Sequence, residues 1–243
     1  MTTLLNTLRV WAVALVTTTW YASGILWAAF RKSPRLPEIS QDLPRRWARA
    51  ILRAARVRVE VSGIENLPTD RSAILVANHE SWFDVFALVA HLPVEYRFVG
   101  KVELTRIPLF GPAWLSAGHI SIDRADRQRA IQSLERAGEI LHQGRAVVVM
   151  FPEGTRTPDG ALLPFKKGAF VLAAQTQVPL VPAGIGGSRA VMPKRSFLIR
   201  PGTIRVRIGD PIPTDTAGAD SRDELLVQAR EAVEELRRPL LTP

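Results

Sequence analysis

Short apolar runs recur along most of this chain and alternate with helical patterns. The runs typical of buried strands are residues 57–61, 73–77, 96–99, 119–122, 146–151, 180–185 and 204–208. Between them, residues 127–143 place apolar side chains at helical spacing and are followed by Gly144, and residues 220–237 form a second amphipathic pattern. This alternation predicts an α/β fold, in which a mixed central sheet is flanked by helices.

The most apolar stretch lies near the N-terminus. Residues 10–30 carry no charged side chain and lie between Arg9 and Arg31. A helix of about 20 apolar residues is long enough to cross a bilayer. Three threonines, Ser23 and Gly24 dilute the stretch, so the sequence leaves open whether it crosses the bilayer or only dips into it. A cleaved signal peptide is disfavoured, because the basic residues follow the apolar stretch instead of preceding it.

A basic amphipathic segment follows. Residues 44–56 place Trp47, Ile51 and Leu52 on one helical stripe, and arginines fill most of the other positions. Such a helix either lies in the membrane interface or packs its stripe against the protein's own core. If residues 10–30 cross the bilayer, the basic flank predicts that the remainder lies at the cytoplasmic face of the cell membrane. We therefore predict N-terminal membrane-associating helices in residues 1–56 and an α/β domain in residues 57–243.

The charge and the cysteine count narrow the classes of function. The net charge is +9 and the pI about 10.9. Basic residues concentrate beside the apolar stretch and not among stacking aromatics, which argues against nucleic acid as a partner and favours a membrane. The chain has no cysteine, which excludes disulfides and cysteine nucleophiles, and its four histidines are scattered. We therefore predict no metal site.

The strongest candidate for chemistry follows the run 73–77, where residues 78–84 read Asn-His-Glu-Ser-Trp-Phe-Asp. The carboxyl ends of strands in α/β sheets commonly carry functional residues. Five residues of one helix subtend about 500°, so His79 and Asp84 meet only if His79 lies in the strand-to-helix turn. A histidine oriented by a carboxylate suits a general base. The alternative is a solvated loop histidine beside an acid at a helix N-terminus.

Three further strand ends carry polar residues. Residues 118–124 end in Asp-Arg, and residues 151–156 read Phe-Pro-Glu-Gly-Thr-Arg. The glycine permits a tight turn, whose N–H groups and Arg156 are suited to an oxyanion or a phosphate. Two lysines follow within residues 164–168, where solvent exposure is the simpler explanation, and residues 178–183 begin a strand with two prolines.

These four segments, in this order, resemble the motifs of the glycerolipid acyltransferase family, to which bacterial 1-acyl-sn-glycerol-3-phosphate acyltransferases belong. Residues 78–84 are similar to N-H-x4-D, residues 118–124 to a motif ending in Asp-Arg, residues 151–156 to F-P-E-G-T-R, and residues 178–182 to V-P-x-x-P. Lys101 lies in a segment that resembles a lysine-containing stretch between the first two motifs. His119 departs from the family's second motif, where an apolar residue is commoner.

The resemblance implies transfer of a fatty acyl group from acyl-CoA or acyl-carrier protein to the sn-2 hydroxyl of 1-acyl-sn-glycerol-3-phosphate, giving phosphatidic acid. It implies that His79 is the general base and that Asp84 orients it. The substrate-binding residues that it implies are Lys101, Arg124, Glu153, Gly154, Thr155 and Arg156. Among them, the cations would bind the acceptor's phosphate, and Glu153 would accept hydrogen bonds from its glycerol or support Arg156. No cofactor or metal is implied, since a thioester is already activated.

Two alternatives remain open at this stage. In the first, the chain acylates another lyso-lipid acceptor, such as a lyso-ornithine lipid or a lysophospholipid. In the second, the chain is a non-catalytic membrane lipid-binding protein that keeps the fold. The expected partners in the enzymatic case are membrane lipids and acyl-CoA or acyl-carrier protein.

Overall fold

The structure is a computed structural model and describes residues 2–144, 146–214 and 222–240. Its strands are β1 (Val57–Ser62), β2 (Ala73–Ala77), β3 (Tyr96–Lys101), β4 (Ile120–Ile122), β5 (Val147–Met150), β6 (Leu180–Gly186) and β7 (Gly202–Ile208). Within the described ranges these seven strands form one sheet in the order β1-β7-β6-β2-β5-β3-β4. Each strand coincides with a predicted run to within two residues at either end.

The sheet is mixed. Strand β7 runs antiparallel to β6, whereas the other neighbouring pairs in the described residues are parallel. All five residues of β2 are buried, which fits a central strand that is covered on both faces. The predicted α/β fold with a mixed central sheet is therefore confirmed.

Helices cover both faces of the sheet. They are α1 (Thr2–Phe30), α2 (Leu36–Ala55), α3 (Trp82–His91), α4 (Phe110–Ser116), α5 (Arg127–Gln143), α6 (Gly168–Thr176), α7 (Ser188–Val191) and α8 (Arg222–Arg237). Helix α5 has the predicted bounds, and the Asp126 side chain caps it by accepting from two backbone N–H groups. The last helix is described from Arg222 onward, and its first two predicted residues lie outside the described residues.

Alternate residues of β2 supply two separate cores. Leu75 packs into a cluster with residues of α2 and α3 on one face. Ile74 and Val76 pack into a second cluster with residues of α5, α6 and α8 on the other face. Because α3 follows β2 directly, the turn that joins them lies at the edge of the first core.

Helix α2 packs its apolar stripe against the protein itself. Ala48, Ile51 and Leu52 are buried in the first core. Arg45 and Arg49 donate hydrogen bonds to backbone carbonyls at the C-terminal end of α3, where cations offset the helix dipole. The structure therefore supports packing of this helix on the protein's own core and not a position in the membrane interface.

Helix α1 is long and apolar enough to cross a bilayer by length and composition. One of its faces packs on the protein near both ends, since Val10 is buried in the first half and Ile25 and Ala28 in the second, whereas Ala14 and Tyr21 between them line a cavity. The opposite face is exposed and apolar, with Leu15 at 71% and Trp20 at 74% exposure. An exposed apolar face of this size is typical of a surface that contacts a membrane or a protein partner. Membrane association of the N-terminal segment is supported by these features.

The predicted boundary between residues 56 and 57 matches a change of structure. Helix α2 ends at Ala55, and β1 begins at Val57. Ile51 of α2 nevertheless belongs to the same core as Leu75 of β2. The division into a helical segment and an independent domain stays a prediction.

Candidate active site

The turn between β2 and α3 brings the predicted histidine and aspartate together. Ser81 caps α3, and its side chain accepts from the N–H of Phe83 at 3.2 Å. In return, Oδ2 of Asp84 accepts from the backbone N–H of Ser81 at 2.8 Å and of Glu80 at 2.7 Å. This reciprocal capping folds Asp84 back over the turn, as its spacing from His79 predicts.

Asp84 also orients the imidazole. Its Oδ2 lies 2.8 Å from Nδ1 of His79. The Asp84 side chain is fully buried, whereas 15% of the His79 side chain is exposed. The imidazole stacks on Phe151, with ring centroids 4.1 Å apart and planes 15° from parallel. When Nδ1 donates to the carboxylate, Nε2 has a free lone pair, as a general base requires.

The backbone of His79 is held by the turn after β5. Its N–H donates to Oε1 of Glu153 at 2.6 Å, and its carbonyl accepts from the N–H of Thr157 at 2.8 Å. The second oxygen of Glu153 accepts from the N–H of Leu163 at 2.9 Å. Glu153 therefore links the turn after β5 to the turn after β2.

Glu153 has contacts that differ from the predicted ones. It is only 3% exposed, and its oxygens bind backbone N–H groups instead of Arg156 or an open acceptor site. Burial raises the pKa of Glu153 to about 7, and the hydrogen bonds from Leu163 and His79 oppose that shift. The sequence alone does not predict this arrangement, because His79 lies 74 residues away from Glu153.

Gly154 shapes the rest of this turn. Its φ of +71° lies in the left-handed region that favours glycine. The turn is closed by a hydrogen bond of 2.9 Å from the Gly154 N–H to the carbonyl of Phe151. A Cβ at Gly154 would lie 2.9 Å from Cε of Lys166, so this lysine passes directly over the turn. The predicted Thr155 is exposed and lines the cavity described next.

A cavity of about 580 Å³ opens beside His79 and contains the remaining predicted residues. Lys101, Arg124 and Arg156 line it together with Gly154. Arg124 donates to the carbonyl of Gly154, and the Arg156 guanidinium lies 5.3 Å from the ring centroid of Trp82. Burial lowers the pKa of Arg124 and of Arg156. Guanidinium groups are suited to bidentate contacts with phosphate oxygens.

Most of the cavity wall is apolar. Helix α1 contributes Ala14 and Ile25, helix α2 contributes Trp47, and helix α3 contributes Phe86. Its volume falls in the range of small-ligand sites. The cavity therefore joins a basic, polar region beside His79 to an apolar region beneath the N-terminal helices.

Comparison with known proteins identifies the family. The sequence model of the family described as Acyltransferase matches residues 58–186, which are more than half of the 243 residues. The chain belongs to the acyltransferase family. The predicted resemblance is confirmed.

Relatives within the acyltransferase family carry consistent names. The 1-acyl-sn-glycerol-3-phosphate acyltransferase of Limnanthes alba is 38% identical over 168 residues, which are 69% of this chain and 59% of that protein. The 1-acyl-sn-glycerol-3-phosphate acyltransferase alpha of Homo sapiens is 33% identical over 186 residues, which are 76% of this chain and 66% of that protein. The chain thus spans about three fifths to two thirds of the length of these two relatives.

A solved acyltransferase structure is similar over nearly the whole chain. It is the crystal structure of the 1-acyl-sn-glycerophosphate (LPA) acyltransferase, PlsC, from Thermotoga maritima. The TM-score is 0.85 at 28% sequence identity, and the match covers 99% of this chain and 98% of that one. The similarity therefore includes the two N-terminal helices as well as the sheet.

The second and the fourth of the acyltransferase motif segments lie in different places relative to the cavity. His119 is partly buried and lines the cavity, accepts from the N–H of Phe98 at 3.2 Å, and lies 4.2 Å from Trp114 between ring centroids. Burial lowers the pKa of His119 to about 3, which keeps this imidazole neutral. Residues 178–182 lead into β6 and form its first three residues, and they do not line the cavity within the described residues.

Sequence reasoning missed a buried ionic cluster behind the acyltransferase site. Arg237, in the last turn of α8, lies 3.7 Å from Glu80 and 2.7 Å from Glu234. Burial raises the pKa of Glu80 to about 7, and the nearby Asp84 adds to the shift. No local pattern connects Arg237 to Glu80. Phe151 and Trp82, in contrast, lie inside the motif segments, so their position at the cavity wall could have been predicted from the sequence.

Proposed function

We propose that this chain transfers a fatty acyl group from an acyl thioester to the sn-2 hydroxyl of 1-acyl-sn-glycerol-3-phosphate, giving phosphatidic acid. The observation that carries the proposal is the 2.8 Å contact between His79 and Asp84 at the wall of a cavity that combines basic and apolar surfaces. Relatives over most of the chain bear the name of this activity. The substrates require a base, a site for phosphate and an apolar groove, and the cavity is suited to all three.

The imidazole of His79 acts as the base in this proposal. Its Nε2 takes the proton of the sn-2 hydroxyl while the oxygen attacks the thioester carbonyl. The C–S bond then breaks, and the imidazolium returns the proton to the departing thiolate. Asp84 holds the tautomer and stabilises the imidazolium, as an acid does in a hydrolase triad. The hydroxyl attacks the thioester directly, so no acyl-enzyme forms.

Backbone N–H groups of the turn after β5 stabilise the oxyanion in this proposal. The N–H groups of Thr155 and Arg156 have no acceptor among the described residues, and both residues line the cavity. Donors that are fixed in place before the reaction lower the barrier because they need no reorganisation. The left-handed conformation of Gly154 presents this part of the turn to the cavity.

The acceptor's phosphate binds to the basic residues of the cavity wall. Lys101, Arg124 and Arg156 supply the charge, and stacking over Trp82 keeps the guanidinium of Arg156 in place. Glu153 positions the His79 backbone instead of touching the substrate. We propose that the reaction needs no metal or cofactor, because the thioester carbonyl is already activated.

The apolar part of the cavity receives an acyl chain, and α1 meets the bilayer. The buried face of α1 packs along the protein, so we propose that the helix lies in the membrane interface instead of crossing it. Both ends of such a helix lie on one side of the bilayer, and we propose the cytoplasmic face, whose anionic lipids suit the arginines that follow the apolar stretch. This position places the cavity next to the lipid substrate.

The proposal is tested by measuring the turnover of the purified full chain with a panel of acceptors and donors. The acceptors are 1-acyl-sn-glycerol-3-phosphate, lysophosphatidylcholine and a lyso-ornithine lipid, and each is assayed with acyl-CoA and with acyl-carrier protein. We expect turnover of 1-acyl-sn-glycerol-3-phosphate with at least one donor, unchanged by a chelator. Acylation of another acceptor alone contradicts the proposed substrate, and dependence on a divalent metal contradicts the proposed chemistry.

A further inference from the structure

The loop of residues 193–200 places large apolar side chains in solvent beside the cavity. Phe197 is 76% exposed and Leu198 is 42% exposed. Met192, just before the loop, and Ile199, within it, line the cavity. The proposed reaction uses neither Phe197 nor Leu198, and core packing does not need them. Adjacent exposed apolar side chains of this kind mark a contact surface.

The 193–200 loop is ordered by its own hydrogen bonds. The N–H of Ser196 donates to the carbonyl of Pro193 at 3.1 Å, and Arg195 between them has a φ of +66°. The N–H of Leu198 donates to the hydroxyl of Ser196 at 3.1 Å. The N–H of Arg200 closes the loop on the carbonyl of Val191, the last residue of α7, at 2.9 Å. The apolar tip is therefore held in one orientation before any partner binds.

The 193–200 loop is attached to the first turns of α1. Asn6 donates to the carbonyl of Ile199 at 3.0 Å, and the N–H of Ile199 donates to the hydroxyl of Thr7 at 2.9 Å. The indole of Trp11 donates to the carbonyl of Phe197 at 3.1 Å, and the two rings are 6.3 Å apart. These contacts join parts of the chain that are more than 180 residues apart in sequence.

This attachment extends the exposed apolar face of α1 sideways. Leu4, Leu8, Trp11 and Leu15 follow one another at helical spacing, and each is more than 40% exposed. Phe197 lies next to Trp11 at the edge of this stripe. One continuous apolar surface therefore spans two elements, and α1 is itself apolar enough to enter a bilayer.

The 193–200 loop is also strongly basic. Lys194, Arg195 and Arg200 flank the apolar tip, and residues 188–208 contain no acidic side chain. Among the described residues none of these three cations lies within ion-pair distance of a carboxylate. Apolar side chains surrounded by unpaired cations are typical of a surface that enters an anionic bilayer.

We propose that the 193–200 loop is a second bilayer contact, which inserts Phe197 and Leu198 at headgroup depth and binds anionic lipid headgroups through Lys194, Arg195 and Arg200. A bilayer is favoured over a protein partner, because the loop continues the surface of a helix that is already suited to lipid. The contact lies beside the cavity, because Met192 and Ile199 line it, so the loop holds the bilayer next to the cavity. This inference concerns binding and does not depend on the proposed chemistry.

The absence of native cysteine allows a direct test of depth. Phe197→Cys carries an environment-sensitive fluorophore, and the protein is added to phosphatidylglycerol-containing vesicles with spin-labelled lipid as a quencher. Leu15→Cys, on the α1 stripe, is the positive control, and Val227→Cys, a 52% exposed position on α8, is the negative control. We expect strong quenching at 197 and at 15, and little at 227. A label at 197 that is quenched as little as the label at 227 overturns the proposal.

A charge variant tests the headgroup preference. The triple change Lys194→Gln, Arg195→Asn and Arg200→Gln keeps the loop polar, and asparagine tolerates the left-handed backbone of Arg195. We expect binding to phosphatidylglycerol-containing vesicles to weaken by roughly tenfold or more, with little change on phosphatidylcholine vesicles. Turnover in detergent micelles and the unfolding temperature should match the wild type, which separates this test from the proposed reaction.

Three results overturn the inference. The first is wild-type affinity of the triple variant for anionic vesicles. The second is equal quenching at 197 on neutral and on anionic vesicles. The third is a label at 197 that is already shielded without lipid in a sedimenting dimer, which would show that a second copy of the chain covers the loop.

Discussion

Glu153 accepts a hydrogen bond of 2.6 Å from the backbone N–H of His79, and this bond joins the turn after β5 to the turn after β2. The same carboxylate accepts from Leu163 at 2.9 Å. The position of the proposed base therefore depends on the Glu153 side chain, and we expect Glu153 to act as a positioning residue without touching the substrate.

Glu153→Ala should lower kcat strongly and change the acceptor KM little. The substitution leaves two buried N–H groups without acceptors, each costing about 1–3 kcal/mol, so we also expect a lower unfolding temperature. Glu153→Gln retains one acceptor oxygen and should recover part of kcat. Steady-state kinetics and thermal unfolding of both variants measure this. An acceptor KM that rises while kcat stays constant would instead place Glu153 against the substrate.

The pH dependence of stability should reveal the buried Glu80. Burial raises its pKa from 4.5 to about 7. Between these values the folded chain holds a proton that the unfolded chain has released, so the free energy of unfolding should fall as pH rises through this window. In the Glu80→Gln variant the free energy of unfolding should fall less steeply over this window. The fall that remains is due to Glu153, whose pKa is also raised to about 7. Urea unfolding at both ends of the window measures it.

The matched control for Glu80 is Glu65→Gln, at an exposed carboxylate. This variant should follow the wild-type pH dependence. A Glu80→Gln variant that loses stability between pH 4.5 and pH 7 as steeply as the wild type would contradict the raised pKa.

Arg156→Lys should raise the acceptor KM by roughly tenfold, because an ammonium replaces the bidentate contact of a guanidinium with phosphate. The donor KM should stay near that of the wild type. Trp82→Ala should act in the same direction but more weakly, since it removes only the stacking partner at 5.3 Å. Arg53→Lys on the exposed side of α2 is the control. Acceptor kinetics that do not change in Arg156→Lys would exclude Arg156 from the phosphate site.

Gly154→Ala should lower kcat. Its φ of +71° costs about 1–2 kcal/mol for a residue with a Cβ, and the added Cβ would meet Cε of Lys166 at 2.9 Å. Both effects shift the turn that carries Thr155. Gly138→Ala within α5 is the control, because the nearest atoms to a Cβ there are 3.6 Å away. Equal kcat values for the two variants would mean that the turn does not assist the reaction.

The sequence predicted the strands and the first turn because their signals are local. The run 73–77 is apolar throughout, and the spacing between His79 and Asp84 allows contact only across a strand-to-helix turn. The structure contains that turn, with 2.8 Å between the two side chains. The roles of these side chains in catalysis stay predictions.

Features that depend on distant residues were not predictable. The apolar stripe of α2 is equally suited to contact a membrane and to pack on a protein core. Only the position of α3 in the structure shows that it packs on the core. The contact of Arg237 with Glu80 joins residues 157 positions apart, and neither residue has a local pattern that predicts the other. The antiparallel position of β7 beside β6 likewise depends on the order of the whole sheet.

The most direct test of the account is the turnover of His79→Ala with 1-acyl-sn-glycerol-3-phosphate and an acyl thioester. His91→Ala, at an exposed residue in the otherwise buried last turn of α3, is the matched control. We expect the His79 variant to lose roughly 10³-fold or more in kcat while keeping the wild-type unfolding temperature, and the His91 variant to stay active. A folded His79→Ala protein that retains turnover within about tenfold of the wild type would contradict the role of His79 as the base.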